Sequence, residues 1–332
     1  MLNPDLKLSE KIFSPDIEKV PLRDGYGMGV VKAGETDKNV VVLCADLTES
    51  TRSLEFAKKF PDRFFEVGVA EQNLATIAAG LGVSGKIPFI SSYAAFSPGR
   101  NWEQIRTTIA YNDSNVKIVG SHAGISVGPD GATHQATEDI ATMRTMANMK
   151  VLVPCDVHEA ERITITAAYS IGPCYIRLAR EKTPVVTTKD TPFQLGKVAW
   201  FWMPEKEKFD ATIFVAGPLM YNALCAAKEL YEEGVDVAVI NIPTVKPLDE
   251  GGIVEAAKRC GAVVTVEEHQ VMGGLGGAIA ECLAKRLPTP MEFIGMQDTF
   301  GESGPPDQLI EKYGMGIIHI KEAAKRVIGR KN

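Results

Sequence analysis

Short apolar runs alternate with longer stretches of helical periodicity along the first part of the chain. The apolar runs are nearly continuous, which is typical of strands in a parallel sheet that is covered on both faces. Helical patterns lie between them, for example SLEFAKKF (53–60) and VHEAERITITAAYSIG (157–172). The pattern predicts a doubly wound α/β domain. Its strands are expected at residues 39–47, 86–92, 116–122, 150–156 and 174–180.

The alternation stops at residues 181–196, where Thr, Pro and Lys collect, and this segment is typical of a linker. It then restarts and predicts a second, smaller α/β domain, with strands at 210–217, 236–242 and 261–269 and a closing helix at 318–329. Because 332 residues exceed one ordinary core, two domains are expected. Their predicted boundaries are 1–190 and 191–332.

Composition narrows the class of protein. The residues are 45% hydrophobic and 23% charged, as in a soluble globular protein. A net charge of −6 and the lack of a long basic block argue against a nucleic-acid partner. The N-terminal residues carry charges throughout, so neither a signal peptide nor a membrane anchor is predicted, and a cytoplasmic protein is expected. Six cysteines lie far apart with no CxxC pair, which favours reduced core residues.

One glycine-rich stretch, GGLGGAIAE at residues 273–281, is similar to the start of a dinucleotide-binding helix. The glycines follow EEHQVM and not the strand end of a complete βαβ unit with a ribose-binding acid. NAD binding therefore stays an alternative. A tight turn that lets the following helix pack closely is favoured.

Polar side chains follow several strands of the first predicted sheet. Ligands bind beside the carboxyl ends of strands in open α/β sheets, so these residues are candidates for a site. Two histidines and an aspartate in one glycine-rich loop could surround the hydroxyls of a polar substrate, although solvated or metal-ligating roles for that trio remain open. The candidates are Asp46, Ser50, His122, Asp130, His134 and Arg180.

Glu71 lies where an apolar strand passes into an apolar helix, in the stretch FFEVGVAEQNLATIAAG (64–80). A carboxylate at a helix start is favoured by the helix dipole, which is a sufficient structural explanation by itself. Tyr93 and Phe96 follow the next predicted strand and could be core aromatics or flat partners for a ring.

Four stretches in order and spacing resemble the C-terminal half of a transketolase, from about Arg23 to the end of the chain. They are VGVAEQNLATIAAGL, PFISSYAAF, GSHAGISVGPDGATHQATEDIA and VTVEEHQVMGGLGGAIAE. The resemblance implies a thiamine diphosphate pyrimidine-binding domain followed by a transketolase C-terminal domain. The family's GDG motif, which lies in the N-terminal half and holds the diphosphate with a metal ion, has no counterpart in this sequence.

The resemblance implies a role for each candidate. Glu71 would hydrogen-bond N1′ of the thiamine aminopyrimidine and activate the cofactor's carbanion chemistry. Tyr93 would stack on that ring, with Phe96 and Asp46 beside the cofactor. Because the segment between Phe96 and Arg100 is one residue longer than usual, no role is expected for Arg100.

The resemblance also places substrate groups. His134, as a catalytic residue, and Asp130 would contact the hydroxyls of the donor ketose. The substrate phosphate would be bound by guanidinium, hydroxyl and imidazole groups, which suit an anion. These groups belong to Arg23, Ser50, His122 and Arg180.

The missing half implies a partner. The chain resembles the C-terminal subunit of a split transketolase of the pentose phosphate pathway, active with an N-terminal subunit that holds Mg²⁺ or Ca²⁺, in an α2β2 heterotetramer. Alternatives are the β subunit of a 2-oxoacid dehydrogenase, part of a deoxyxylulose-phosphate synthase, or a non-catalytic assembly subunit. The DGATHQ loop favours sugar phosphates over 2-oxoacids.

Overall fold

The computed structural model describes residues 1–331 and contains fourteen strands and eleven α-helices. The strands are β1 (Lys19–Pro21), β2 (Val40–Cys44), β3 (Phe64–Glu66), β4 (Ile87–Tyr93), β5 (Lys117–Ser121), β6 (Lys150–Leu152), β7 (Cys174–Arg177), β8 (Lys182–Pro184), β9 (Ala199–Trp202), β10 (Ala211–Ala216), β11 (Val237–Asn241), β12 (Thr244–Lys246), β13 (Val263–Gln270) and β14 (Met291–Met296). The helices are α1 (Leu22–Thr36), α2 (Leu54–Lys59), α3 (Glu71–Val83), α4 (Trp102–Gln104), α5 (Asp139–Arg144), α6 (Val157–Tyr169), α7 (Met220–Glu232), α8 (Glu250–Cys260), α9 (Leu275–Arg286), α10 (Pro306–Lys312) and α11 (Ile317–Ile328).

The first sheet has seven strands in the order β12-β6-β7-β5-β4-β2-β3. All of its pairs are parallel except the one between β12 and β6. Its central strands are fully buried, which explains why they contain unbroken apolar runs. The parallel strands place their carboxyl ends along one edge, and the loops that follow β2, β3, β4, β5 and β7 meet there.

The second sheet has five strands in the order β14-β13-β10-β11-β9, with β9 antiparallel to β11. Both sheets are α/β layers, as the periodicity predicted. One apolar core includes residues of both sheets, for example Leu43 and Ile90 of the first and Phe214 and Ile240 of the second. The two sheets are therefore packed as one body. No helix in residues 1–331 is long and apolar enough to span a membrane.

The N-terminal residues, predicted to belong with the first domain, lie against the second sheet. Leu2 bridges Trp202 of β9, and the Phe13 ring packs edge-on against the Trp202 ring at 6.0 Å. The predicted linker also differs from expectation, because its residues Lys182–Pro184 form β8 and pair with β1. Three-residue strands are too short to show a periodic pattern.

A buried ion pair joins the two sheets. The Asp139 carboxylate at the start of α5 accepts hydrogen bonds from Arg177 Nε at 2.9 Å and from the Tyr175 hydroxyl at 2.6 Å. Arg177 Nη2 donates to the carbonyl oxygen of Glu268 on β13 at 2.7 Å. Arg177 and Asp139 side chains are each 2% exposed. The Asp139 carboxylate is therefore the direct partner of the guanidinium, and the Glu268 carboxylate adds a further negative charge nearby.

The glycine-rich stretch before α9 packs tightly, as favoured from the sequence. A Cβ on Gly274 would lie 2.1 Å from Glu267 Oε2, and one on Gly276 would lie 2.7 Å from the Phe293 ring. The Glu267 carboxylate accepts the backbone N–H groups of Leu275 and Gly276 at 2.7 and 2.8 Å. The protein's own carboxylate thus takes the place that a dinucleotide phosphate would need.

Candidate active site

Glu71 begins α3 at the loop-bearing edge of the first sheet, and its side chain is only 2% exposed. Its carboxylate Oε2 accepts a hydrogen bond from Arg100 Nη1 at 3.0 Å. Its backbone carbonyl accepts one from Asn101 Nδ2 at 2.8 Å. A helix-start carboxylate of the ordinary kind is solvated, whereas Glu71 is buried and ion-paired. Helix geometry alone does not account for it.

Two predicted aromatic residues and two predicted histidines form one cluster at this edge. The Tyr93 ring stacks on the His122 ring with centroids 3.8 Å apart, and it lies nearly parallel to Phe96 at 5.9 Å. The His134 ring meets the edges of Phe96 and Tyr93 at 5.3 and 6.2 Å. His122 therefore covers one face of Tyr93.

Arg100, for which no role was expected, lies inside this cluster. Its guanidinium carbon is 4.9 Å from the centre of the Phe96 ring. Arg100 follows a turn after β4, in which the Arg100 N–H donates to the Phe96 carbonyl at 2.8 Å. No role was predicted for Arg100, and the structure places its guanidinium in contact with Glu71 and Phe96.

His122 is a neutral group in this site. Arg23 can only donate, so its contact of 3.3 Å to Nε2 makes that nitrogen an acceptor, and Nδ1–H donates to Ser121 Oγ at 2.9 Å. Burial lowers the pKa of His122 to about 3, assisted by the positive charges of Arg23 and Arg180.

This pKa predicts a pH dependence of stability. In the unfolded chain His122 becomes protonated near pH 6.5, whereas in the folded chain it stays neutral down to about pH 3. Stability therefore falls as the pH falls through this window, by up to about 1.4 kcal/mol per pH unit from this residue. Urea unfolding at several pH values should show a shallower slope for His122→Phe than for the unchanged chain. Equal slopes would contradict the assignment.

Three arginines crowd one side of the cluster. Arg23 Nη1 donates to the Ser50 carbonyl at 2.9 Å, while its buried Nε has no hydrogen-bond partner in residues 1–331. Burial and the nearby charges of Arg52 and Arg180 lower the pKa of Arg23. Like charges gathered around an unpaired buried donor fit an anion.

Arg52 was not predicted. It stands at φ +65° in the loop after β2, where its Nε contacts an Asp24 carboxylate oxygen at 2.5 Å. The sequence signal that could have identified Arg52 is its position in the loop after β2, two residues after the candidate Ser50. Arg180 donates to the Val127 carbonyl at 3.0 Å and to Glu181 at 2.7 Å.

The remaining predicted residues differ in their surroundings. His134 is half-buried, and its Nδ1 contacts Thr133 Oγ1 at 2.9 Å. Asp46, at φ +56°, and Asp130 are exposed, and neither carboxylate has a hydrogen bond within the described part of the chain. The structure brings His134 to the aromatic cluster but gives Asp46 and Asp130 no such contact.

The contacts of His122 bear on the metal-binding alternative. Both ring nitrogens of His122 are engaged by Ser121 and Arg23. Across residues 1–331 no group of three His, Cys, Asp or Glu side chains is placed to hold a metal ion.

Comparisons with known proteins agree with the fold and with the order of the domains. Residues 18–185 match the family described as transketolase, pyrimidine binding domain, and residues 202–320 match transketolase, C-terminal domain. These two domains define the class of protein. The chain belongs to the transketolase family and corresponds to its C-terminal half.

Several relatives are matched over nearly their whole length. A putative transketolase C-terminal section of Methanocaldococcus jannaschii is 44% identical, with 92% of this chain and 95% of that protein covered. The 6-deoxy-6-sulfo-D-fructose transketolase subunit SqwH of Clostridium sp. is 39% identical, with 96% and 98% covered.

Solved structures of transketolases are similar to this chain along nearly its whole length. One described as split gene transketolase, inactive beta4 tetramer, has a TM-score of 0.87 at 44% identity and covers 94% of this chain and all of that one. The Leishmania mexicana transketolase, at 23% identity and a TM-score of 0.78, shares the fold, with 97% of this chain and 48% of that one covered.

Proposed function

We propose that this chain is the C-terminal subunit of a split transketolase. With thiamine diphosphate and a partner chain, it transfers a two-carbon ketol unit between sugar phosphates. The observation that carries this proposal is the buried Glu71 carboxylate at the same strand-end edge as the flat rings of Tyr93 and Phe96, linked to Phe96 through Arg100. An assembly subunit has no need of a buried charge there.

The residues fit the aminopyrimidine half of the cofactor. Glu71 offers a carboxylate to a ring nitrogen, and Phe96 and Tyr93 offer flat surfaces that fix the ring's orientation. When bound, thiamine diphosphate supplies carbanion chemistry next to a carbonyl group. Glu71 would hold a proton at its carboxylate toward the ring nitrogen. Its burial keeps water away from that proton.

The histidines and arginines would bind the sugar. His134, half-buried at the edge of the Phe96 ring, would hydrogen-bond donor hydroxyls. His122, neutral and with both ring nitrogens bonded to Ser121 and Arg23, would orient the Arg23 guanidinium toward the phosphate without adding charge. The phosphate would lie against Arg23, Arg52 and Arg180. An anion there would satisfy the unpaired Nε of Arg23.

A partner chain would hold the diphosphate and its Mg²⁺ or Ca²⁺. One side of α3, the helix that Glu71 begins, is exposed along Gln72, Asn73, Thr76 and Ile77. Val69, just before it, is 69% exposed, and such apolar surface suits burial against another chain. The similar split-gene chain is described as inactive when it forms a β4 tetramer, which agrees with a need for a second kind of subunit. An α2β2 assembly is the arrangement we infer.

Cofactor titration tests this dependence on a partner. Because the chain supplies only the ring-binding half of the site, we expect weak binding of thiamine diphosphate by the chain alone, and tight, Mg²⁺-dependent binding once a diphosphate-binding subunit is added. Calorimetry measures both. Tight, Mg²⁺-dependent binding without a partner would refute the proposal.

Phosphate recognition gives a second prediction. Arg23→Ala and Arg180→Ala should each weaken transition-state binding of phosphorylated substrates by about 1.5–3 kcal/mol. This is the usual value of a charge-assisted hydrogen bond. The kcat/KM of each variant for the dephosphorylated analogues should change little. The measurement is kcat/KM for both substrate forms in the reconstituted enzyme. Arg326→Ala, on the exposed face of α11, is the control. Equal losses on both forms would mean that the arginines are structural.

The relatives leave the sugar open. One is described as a subunit of a 6-deoxy-6-sulfo-D-fructose transketolase, and another, from Phocaeicola vulgatus, as a subunit of an apulose-4-phosphate transketolase. Sulfonate and phosphate groups present similar oxygen acceptors to arginine. A comparison of ketose phosphates with a sulfonated ketose in the same assay would identify the preferred donor.

A further inference from the structure

Arg100 contacts both groups that the proposed function reserves for the cofactor ring. Its Nη1 lies 3.0 Å from Glu71 Oε2, and its guanidinium carbon lies 4.9 Å from the centre of the Phe96 ring. The Arg100 side chain is 51% exposed, whereas the Glu71 side chain is 2% exposed. The arginine thus enters the site from the solvent side and is held between a carboxylate and an aromatic ring.

A guanidinium and a protonated aminopyrimidine resemble each other chemically. Both are flat, both present N–H donors in the plane of the group, and both stack on aromatic rings while donating to a carboxylate. Arg100 already bonds Glu71 Oε2 and lies against the Phe96 ring. A cofactor ring that uses the same oxygen and the same side of Phe96 must therefore displace Arg100.

We propose that Arg100 occupies the aminopyrimidine position in the cofactor-free chain and leaves it when the cofactor binds. Arg100 is then a built-in competitor that neutralises the buried Glu71 until the ring takes over. This inference rests on the proposed function, since it takes the Glu71 and Phe96 site to be the ring site.

The surrounding structure allows this exchange with movement of one side chain. Asn101, next in the chain, is fully buried and holds the loop through its Nδ2, which donates to the Glu71 carbonyl at 2.8 Å and to Ser97 Oγ at 3.2 Å. The backbone at Arg100 is therefore anchored. The Arg100 side chain is already 51% exposed, so its release into solvent changes its solvation little.

Without Arg100, the buried carboxylate would have no counterion in the empty site. A buried unpaired charge is costly, and the usual response is protonation or pairing with another cation. Arg100 provides that pairing in the empty chain. The same pairing weakens cofactor binding, because the ion pair must be broken before the ring can enter.

The test uses a fragment that needs no partner subunit. The probe is 4-amino-5-hydroxymethyl-2-methylpyrimidine, the ring without its diphosphate, titrated into the full-length chain by calorimetry. We expect Arg100→Gln to bind it about tenfold more tightly than the unchanged chain, since the competing ion pair and ring contact are gone. Arg106→Gln, an exposed arginine in the following turn, should bind it as the unchanged chain does.

The outcomes separate failure of this inference from failure of the proposed function. Glu71→Ala, which removes the hydrogen-bond acceptor for the ring, should abolish fragment binding in either background. Equal or weaker binding by Arg100→Gln, with binding still lost in Glu71→Ala, would overturn the competitor role and leave the ring site standing. Absence of fragment binding in all variants, with folding verified by thermal unfolding, would overturn the ring site itself.

Discussion

Replacement of Glu71 by Gln is expected to lower two-carbon transfer at least about a hundredfold in the complex with a diphosphate-binding subunit. Glutamine has nearly the same shape and can still accept and donate hydrogen bonds, but it cannot hold and release a proton. The loss is in the usual range for a positioned acid or base. Because the change preserves size, α3 and its surroundings should remain folded.

The measurement is kcat at saturating cofactor and substrate. Glu255→Gln, on the exposed face of α8, is the matched control and should retain full activity. Circular dichroism and thermal unfolding of the Glu71 variant verify its fold. Retention of more than half the activity by Glu71→Gln would refute the role assigned to this carboxylate.

Asp139→Asn is expected to destabilise the chain by about 3–5 kcal/mol, the range for breaking a buried ion pair by removing one partner. The change leaves the Arg177 guanidinium, 2% exposed, without a negative charge in contact, and it weakens the acceptor of the Tyr175 hydroxyl. Since Arg177 also donates to Glu268 of the second sheet, packing between the sheets should loosen with it.

Urea unfolding measures this loss, and an exposed pair provides the control. Glu55 and Lys58 pair at 2.8 Å on the surface of α2, with side chains 70% and 60% exposed. Glu55→Gln should cost no more than about 1 kcal/mol, because exposed pairs contribute little. An equal loss of unfolding free energy in the two variants would show that the buried pair contributes no more to stability than the exposed one.

The convergence of the candidate loops was predictable from the sequence for a physical reason. Parallel strands carry their carboxyl ends to one edge, so Tyr93 at the end of β4, His122 after β5 and Glu71 after β3 were expected along the same edge. Their chemistry was visible as an acid, an aromatic ring and an imidazole in otherwise apolar or glycine-rich surroundings. Long buried strands were equally visible as unbroken apolar runs.

Other parts depended on conformations that the residue pattern does not encode. Arg100 reaches Glu71 through the turn at residues 96–100, whose course cannot be read from the residue spacing. Arg52 joins the arginine group from a left-handed backbone conformation at φ +65°. The N-terminal segment packs on β9 through single contacts such as Phe13 with Trp202, which no local periodicity marks.

The central claim is that two-carbon transfer requires this chain together with a diphosphate-binding subunit. The most direct test is a transfer assay from a ketose phosphate to an aldose phosphate, with thiamine diphosphate and Mg²⁺, on each chain alone and on their equimolar mixture. We expect transfer only in the mixture, with activity that saturates as the two chains reach a one-to-one ratio. Transfer by this chain alone, or an inactive mixture in which the two chains demonstrably form a complex and bind the cofactor, would contradict the account.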